Sequence, residues 1–218
     1  MDDAEEEEKL TREEIAAAVD SRFPENVRNR LREATVGIAG LGGLGSHIAV
    51  MLARSFVGHL RLVDFDRVDV SNLNRQAYGI SHLGMEKTEA LSQIIKGINP
   101  YLDVKIHTVR VDRKNAGILF DACPIVCEAF DRPEEKAMLV NTLLEKCPDT
   151  VVISGSGMAG YGSGNEIRAK KVMRRLYLCG DGKTDIADGI GLMAPRVNIC
   201  AGQQANMAVR LILGEQMP

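Results

Sequence analysis

The stretch Thr35-Val36-Gly37-Ile38-Ala39-Gly40-Leu41-Gly42-Gly43-Leu44-Gly45-Ser46, residues 35–46, decides the fold. Residues 35–39 form an apolar run bounded by glycines, the pattern of a buried strand, and a helical pattern runs from about Leu44 to Ser55. Between them lies Gly40-Leu41-Gly42-Gly43-Leu44-Gly45. Missing side chains let such a turn tighten and let backbone N–H groups approach a phosphate, while the helix N-terminus adds a favourable partial charge. Asp64 ends the next predicted strand, 19 residues beyond Gly45, where a carboxylate accepts both hydroxyls of a ribose. Together these features specify an adenosine-type nucleotide site. A dinucleotide-binding Rossmann domain holding NAD satisfies them equally well, and a bare structural turn is a third reading, though clustered glycines cost backbone entropy.

Outward from this stretch, strands and helices alternate. Thr11 with Glu14 has the spacing of a capping box opening a helix to about Val19, after a run of acids at residues 2–8 that reads as a frayed start. A polar helix spans about Glu25 to Arg32. Past the glycine turn come a strand at 59–64, a helix at 87–98 closed by Pro100, a strand near 104–111, a helix at 115–120, a strand at 124–129, a helix at 133–147 and a strand at 150–154. The glycine-rich stretch 155–164 must be loop, 167–178 reads as one strand, and 196–213 as a closing helix. This alternation predicts an α/β, Rossmann-like, doubly wound fold: a mainly parallel sheet with flanking helices and a C-terminal extension. The expected organisation is an N-terminal helical segment (1–33) followed by a single nucleotide-binding domain (34–218).

Composition narrows the function. With 218 residues, a net charge of -3 and a pI near 5.9, the chain offers no broad positive field for a nucleic-acid backbone. No apolar run reaches the roughly 18–20 residues that span a bilayer, and the acidic N-terminus is unlike a signal peptide, so no membrane association and a cytoplasmic location are expected. Five cysteines, Cys123, Cys127, Cys147, Cys179 and Cys200, contain no Cys-x-x-Cys pair. Four residues apart in a strand, Cys123 and Cys127 stand about 13 Å from each other. Reduced thiols and no structural zinc are therefore expected, and the scattered histidines give no ligand spacing.

The ligand is sharpened by the residues that follow the second predicted strand: Asp64-Phe65-Asp66, Ser71-Asn72-Leu73-Asn74-Arg75-Gln76, then Gly84 and Lys87. All fall at the C-terminal edge of the sheet, where ligands bind in open α/β folds. Arg75 and Lys87 together bracket a triphosphate, whereas a dinucleotide pyrophosphate is already served by the glycine turn. A nucleoside triphosphate becomes the better ligand.

These residues carry a resemblance. GLGGLGS (40–46), LVDFDRVDVSNLNRQ (62–76), GMEK (84–87), INP (98–100) and CEAFDRPEEKAMLVN (127–141) resemble the ThiF/MoeB/HesA family, relatives of ubiquitin-activating enzymes, over nearly the whole chain. SGMAGYG (156–162) and GLMAPRV (191–197) look like its short, zinc-free ThiF branch, linked with thiamine biosynthesis; MoeB and classical ThiF usually carry Cys-x-x-Cys pairs. The resemblance implies an adenylyltransferase that uses ATP and Mg2+ to activate the C-terminal Gly-Gly carboxylate of a ThiS-like ubiquitin-fold sulfur carrier, working as a homodimer. A MoaD-like carrier or a tRNA base is an alternative acceptor. The glycines Gly40, Gly42, Gly43 and Gly45 and the polar Asp64, Asp66, Ser71, Asn72 and Asn74 would then bind nucleotide. Gly43 would lie against the phosphates, Asp64 would hold the ribose, Asn72, Arg75 and Lys87 would touch the triphosphate, and Asp131 would bind magnesium. Asp131 also has the spacing of an N-cap for the helix starting at Pro133. Arg22 stands close to where relatives place an arginine that enters the partner subunit's site, although it also reads as one of several surface cations beside Arg28, Arg30 and Arg32. Some relatives pass the activated carboxylate to a cysteine, and Cys179, ending an apolar run, is the candidate here.

Overall fold

The computed structural model describes residues 10–218; the acidic run at 2–8 lies outside them. The capping box forms: the Thr11 N–H and hydroxyl donate to Glu14 Oε2 at 2.7 and 2.9 Å, and the Glu14 N–H donates to Thr11 Oγ1 at 3.2 Å, opening α1 (Arg12–Asp20). After α2 (Glu25–Glu33) the chain enters β1 (Thr35–Ala39), α3 (Gly43–Arg54) and β2 (His59–Asp64). Then follow α4 (Lys87–Lys96), β3 (Asp103–Thr108), α5 (Ala116–Leu119), β4 (Ile125–Glu128), α6 (Pro133–Lys146) and β5 (Val151–Gly155). An edge hairpin, β6 (Arg168–Met173) and β7 (Leu176–Gly180), precedes the closing helix α7 (Ala194–Ile212).

The seven strands lie in one sheet in the order β3-β2-β1-β4-β5-β7-β6. Every neighbouring pair is parallel except β6 with β7. Both faces are buried because each central strand alternates two apolar sets. Val36, Ile38, Leu60, Leu62, Ile125, Cys127 and Ile153 pack with α3, α4 and α7, while Ala39, Val63, Val126 and Val152 pack with α5 and α6. Gly37 lets Phe120 close down on the middle of β1: a Cβ there would stand 2.7 Å from the ring. Among the described residues no helix is long and apolar enough to cross a membrane.

The stretch 167–178, expected as one strand, is a hairpin. No glycine or proline marks its turn at Arg174-Arg175; tertiary contacts make it. The Arg175 guanidinium donates to the carbonyls of Leu144, Cys147 and Thr150 at 2.6, 2.8 and 2.9 Å, anchoring the reversal under the end of α6. Such a charged fork satisfies carbonyls at the helix end and in the loop, that of Cys147 being shared with the Thr150 N–H at 3.1 Å.

Strand order reverses at β1. The chain runs outward through β2 and β3, then returns to place β4 on the other side of β1. The helices after β1 and β4 consequently lie on opposite faces, and a crevice opens between the C-terminal ends of these two strands.

Candidate functional site

A pocket of about 550 Å³ fills that crevice, lined by Gly40, Gly42 and Gly43 after β1, Asp64–Asp66 after β2, and Ala129–Pro133 after β4. Its floor is the glycine turn. Gly40 has φ +86°, and a Cβ on it would stand 2.9 Å from Phe130 and 3.0 Å from the Ala129 carbonyl. Gly45 returns against it so closely that a Cβ would sit 1.8 Å from the Gly40 oxygen. Gly45 therefore joins helix to strand and, unlike the other three glycines expected at the nucleotide, does not border the pocket. Gly42 is the N-cap of α3, so the first-turn N–H groups from Gly43 onward lack intrahelical acceptors.

Asp64 is buried beside this turn, one oxygen accepting the Leu41 N–H at 2.6 Å and the other the Asp66 N–H at 2.8 Å. Burial pushes its carboxyl above the ordinary carboxylate value, although the Lys87 ammonium and the two N–H groups pull the other way. Each oxygen keeps a lone pair for a further donor. Tyr78 supports the turn from behind: its hydroxyl donates to the Leu41 carbonyl at 2.9 Å, and burial, with the Asp64 charge second, pushes the phenol well up.

The cations come from the long connection between β2 and α4. Asp69 caps a short 3-10 turn over Val70–Asn72, accepting the Ser71 N–H, while Asn72 Oδ1 accepts the Asp69 N–H at 3.0 Å. This box presents Asn72 and Arg75 to the pocket. Arg75 donates to the Ser71 carbonyl at 3.1 Å and to Asn74 Oδ1 at 2.8 Å, with its stem against Gly43. Lys87, at the first position of α4, is buried and donates to Asp66 Oδ2 at 2.9 Å. Ser71 and Asn74 do not border the pocket: the Ser71 hydroxyl donates to Asp69 at 2.6 Å, and Asn74 turns toward the Leu192 carbonyl at 3.4 Å.

Asp131 lies exposed between β4 and α6 and lines the pocket. Its expected capping role does not form. The N-cap of α6 is Arg132, with no side-chain cap, and Pro133 supplies the preset φ of the first turn. Arg22 sits exposed in the turn between α1 and α2 and is not among the residues lining the pocket.

Arg110 and Lys136 line the pocket without having been singled out from sequence, whereas Gln76 belongs to the polar stretch 71–76 and the wall at 155–159 to the glycine-rich stretch expected to line the path of an incoming tail. Arg110, paired with Glu135 at 2.6 Å and 5.4 Å above the Phe65 ring, stands at the rim, and Lys136 reaches in from α6. Gln76 is buried with its Oε1 lacking a partner. The far wall, Ser156–Ala159 with Thr184–Ile186, is braced by the buried Asp181–Arg196 ion pair, whose carboxylate also accepts the N–H groups of Lys183 and Thr184 at 2.8 and 3.0 Å. Fifteen residues separate that pair, with no pattern to announce it.

No cysteine borders the pocket. Cys179 is fully buried in β7, and burial, then the neighbouring Cys200 and Cys127, pushes its thiol far up; the Cys200 S–H donates to its carbonyl at 3.2 Å. The thiol expected at a strand end points into the core, because position 179 falls on the inward side of the alternation. Among the described residues no three His, Cys, Asp or Glu side chains gather as a metal cage.

Comparison with known proteins gives consistent matches. A family model described as the ThiF family matches residues 16–218. The chain is 29% identical over 199 residues to the adenylyltransferase and sulfurtransferase UBA4 of Lodderomyces elongisporus, covering 87% of this chain and 42% of that protein. It is 35% identical over 130 residues to the tRNA threonylcarbamoyladenosine dehydratase of Haemophilus influenzae, covering 59% of this chain and 50% of that protein. The chain thus spans half or less of either relative. Among solved structures, E. coli tRNA N6-threonylcarbamoyladenosine dehydratase in complex with ATP superposes with a TM-score of 0.82 at 19% identity, covering 91% of this chain and 93% of that one, a likeness of fold.

Proposed function

The chain belongs to the ThiF family, and from that premise we propose that it is an ATP-dependent adenylyltransferase acting on the C-terminal carboxylate of a ubiquitin-like sulfur carrier. The observation that carries the reading is convergence. A glycine turn at a helix N-terminus, two acids at strand ends, Asp64 and Asp131, and two cations, Arg75 and Lys87, surround one pocket at the sheet's reversal point. Asp64 takes the ribose, Gly42 and Gly43 approach the phosphates, and Asn72, Arg75 and Lys87 bracket the triphosphate; an NAD site has no use for both cations.

In the reaction a carboxylate oxygen of the carrier attacks the α-phosphorus in line. The new O–P bond forms as the P–O bond to pyrophosphate breaks, and pyrophosphate leaves with its electron pair. No side-chain nucleophile is needed; the chain positions the reactants and neutralises charge on the phosphates. Loss of one such donor costs about 3–4 kcal/mol of barrier. Asp131 fits magnesium: a single exposed carboxylate bordering the same pocket would leave the remaining ligands to phosphates and water, the donor set this cation prefers. Asp131 would hold the cation there, and the cation would supply positive charge against the negative charge developing on the pyrophosphate. The far wall of Ser156, Gly157 and Met158 borders the same pocket and suits an extended Gly-Gly tail, which alone enters a narrow cleft without side chains.

The finer reading assigns a ThiS-like carrier in thiamine thiazole synthesis, a cytoplasmic homodimer, and Arg22 serving the pocket of a second copy. The second reading is adenylation of a tRNA base, favoured by the fold match along nearly the whole of the E. coli tRNA-modifying enzyme and disfavoured by the acidic pI. Exchange of labelled pyrophosphate into ATP decides, run with a panel of Gly-Gly-tailed carriers and with tRNA. Carrier-dependent exchange that Lys87→Ala and Asp131→Ala both abolish is expected. Exchange retained in both variants overturns the site, and exchange driven by tRNA alone replaces the acceptor.

A further inference from the structure

We propose that the ion pair Glu128–Lys136 is a positioning device that aims Asp131 into the pocket, an inference that rests on reading the pocket as a metal–ATP site. Glu128 is the last residue of β4 and is completely buried. Its Oε2 accepts the Lys136 ammonium at 2.7 Å and the Ser154 hydroxyl at 2.5 Å, and its Oε1 accepts the Phe130 N–H at 2.7 Å. The Lys136 ammonium also donates to the Phe130 carbonyl at 3.0 Å. One ion pair therefore grips both peptide groups of Phe130, and the second of these leads directly into Asp131. Ser154 extends the grip to β5, just ahead of the Gly155–Ala159 wall across the pocket.

A buried ion pair is a poor way to stabilise a fold, since apolar side chains of like volume do as well. What a fully satisfied buried network supplies is rigidity at a defined place. Here that place is a two-residue link, Ala129-Phe130, between a strand end and an exposed carboxylate that no cap of α6 restrains. Lys136 lies one helical turn into α6 on the pocket side, so α6, β4 and β5 are referenced to one point. Groups that orient a metal's ligand characteristically matter for metal affinity about 10- to 100-fold.

The test is the magnesium concentration that half-saturates ATP binding, followed by calorimetry on the full chain and so independent of turnover. Because Lys136→Met alone strands a buried carboxylate, the informative variant is the neutral pair Glu128→Gln/Lys136→Met, whose fold is checked by circular dichroism. Its magnesium midpoint, taken relative to the variant's own metal-free ATP affinity, is expected to rise roughly tenfold, while Lys136→Arg keeps most of the wild-type midpoint. Adding Asp131→Ala to the neutral pair should shift the midpoint no further than Asp131→Ala alone. A wild-type midpoint in the folded neutral pair, with Asp131→Ala shifted, overturns the device and leaves the metal site standing. Equal midpoints for wild type and Asp131→Ala overturn both.

Discussion

Gly45→Ala is the sharpest perturbation of the architecture beneath the site. Position 45 lies in the first turn of α3, where alanine in place of glycine ordinarily gains up to about 1 kcal/mol of helix propensity. Here the added methyl would stand 1.8 Å from the Gly40 carbonyl oxygen and 2.9 Å from its carbon. Both are backbone atoms, so no rotamer change relieves the overlap, and helix and turn must part by more than an ångström. Overpacking of this kind costs about 1–3 kcal/mol, and the backbone partner places this case at the top of that range. Set against the propensity gain, the net loss is about 2 kcal/mol. For a chain of this length that lowers Tm by about 4–8 °C. Thermal unfolding followed by circular dichroism, with a urea titration to confirm an unchanged m-value, measures it. A Tm at or above wild type refutes the claim that this glycine exists to let the turn close.

Gly42→Ala makes the complementary prediction. Its methyl would meet only Gln76 Nε2, at 3.9 Å, so stability changes little while ATP affinity falls, because the methyl occupies the phosphate approach; unchanged affinity by calorimetry would place the phosphates elsewhere. Asp64 predicts a pH dependence, because ribose hydroxyls donate to its ionised form and burial holds its carboxyl above the usual value. ATP affinity should therefore fall on acidification at a pH above the ordinary aspartate midpoint of about 3.9, and Asp64→Asn should flatten the profile. For the ligand-free chain the sign is opposite. The folded state binds this proton more tightly than the unfolded state, so the group's stabilising contribution is full below the ordinary value and is lost as pH rises through the raised one. Finally, Ellman's reagent near pH 8 should leave Cys127, Cys179 and Cys200 unmodified in the folded chain, the first and last thiols being raised to about 12 by burial, and should label them after denaturation. Rapid labelling of Cys179 in the native chain would restore it as a covalent relay.

Much of the fold is legible because its signals are local. The glycines at 40–45 stop a strand and start a helix, the apolar strands take up both buried faces, and Thr11 with Glu14 pairs within one turn. The hairpin at 168–180 was not legible because its turn is fixed by Arg175 reaching carbonyls 25 to 31 residues earlier. Within the site, residues on the β2–α4 connection were readable as a group, although sequence could not tell Asn72, which faces the pocket, from Ser71 and Asn74, which do not. Glu128, Lys136 and Arg110 were invisible for another reason. Each is an ordinary charge near a strand end or on a helix face, and only the strand order β3-β2-β1-β4, which no local pattern encodes, brings them around the glycine turn.

The packing of α7 against α3 has a consequence for how the molecule is made. The helix that carries the glycine turn has part of its apolar side covered by a segment synthesised some 150 residues after it. A nascent chain thus carries its glycine turn half-mounted until α7 emerges, with part of the apolar side of α3 bare to any chaperone that surveys such surfaces. The turn is fully mounted only once α7 has been made and has docked on α3.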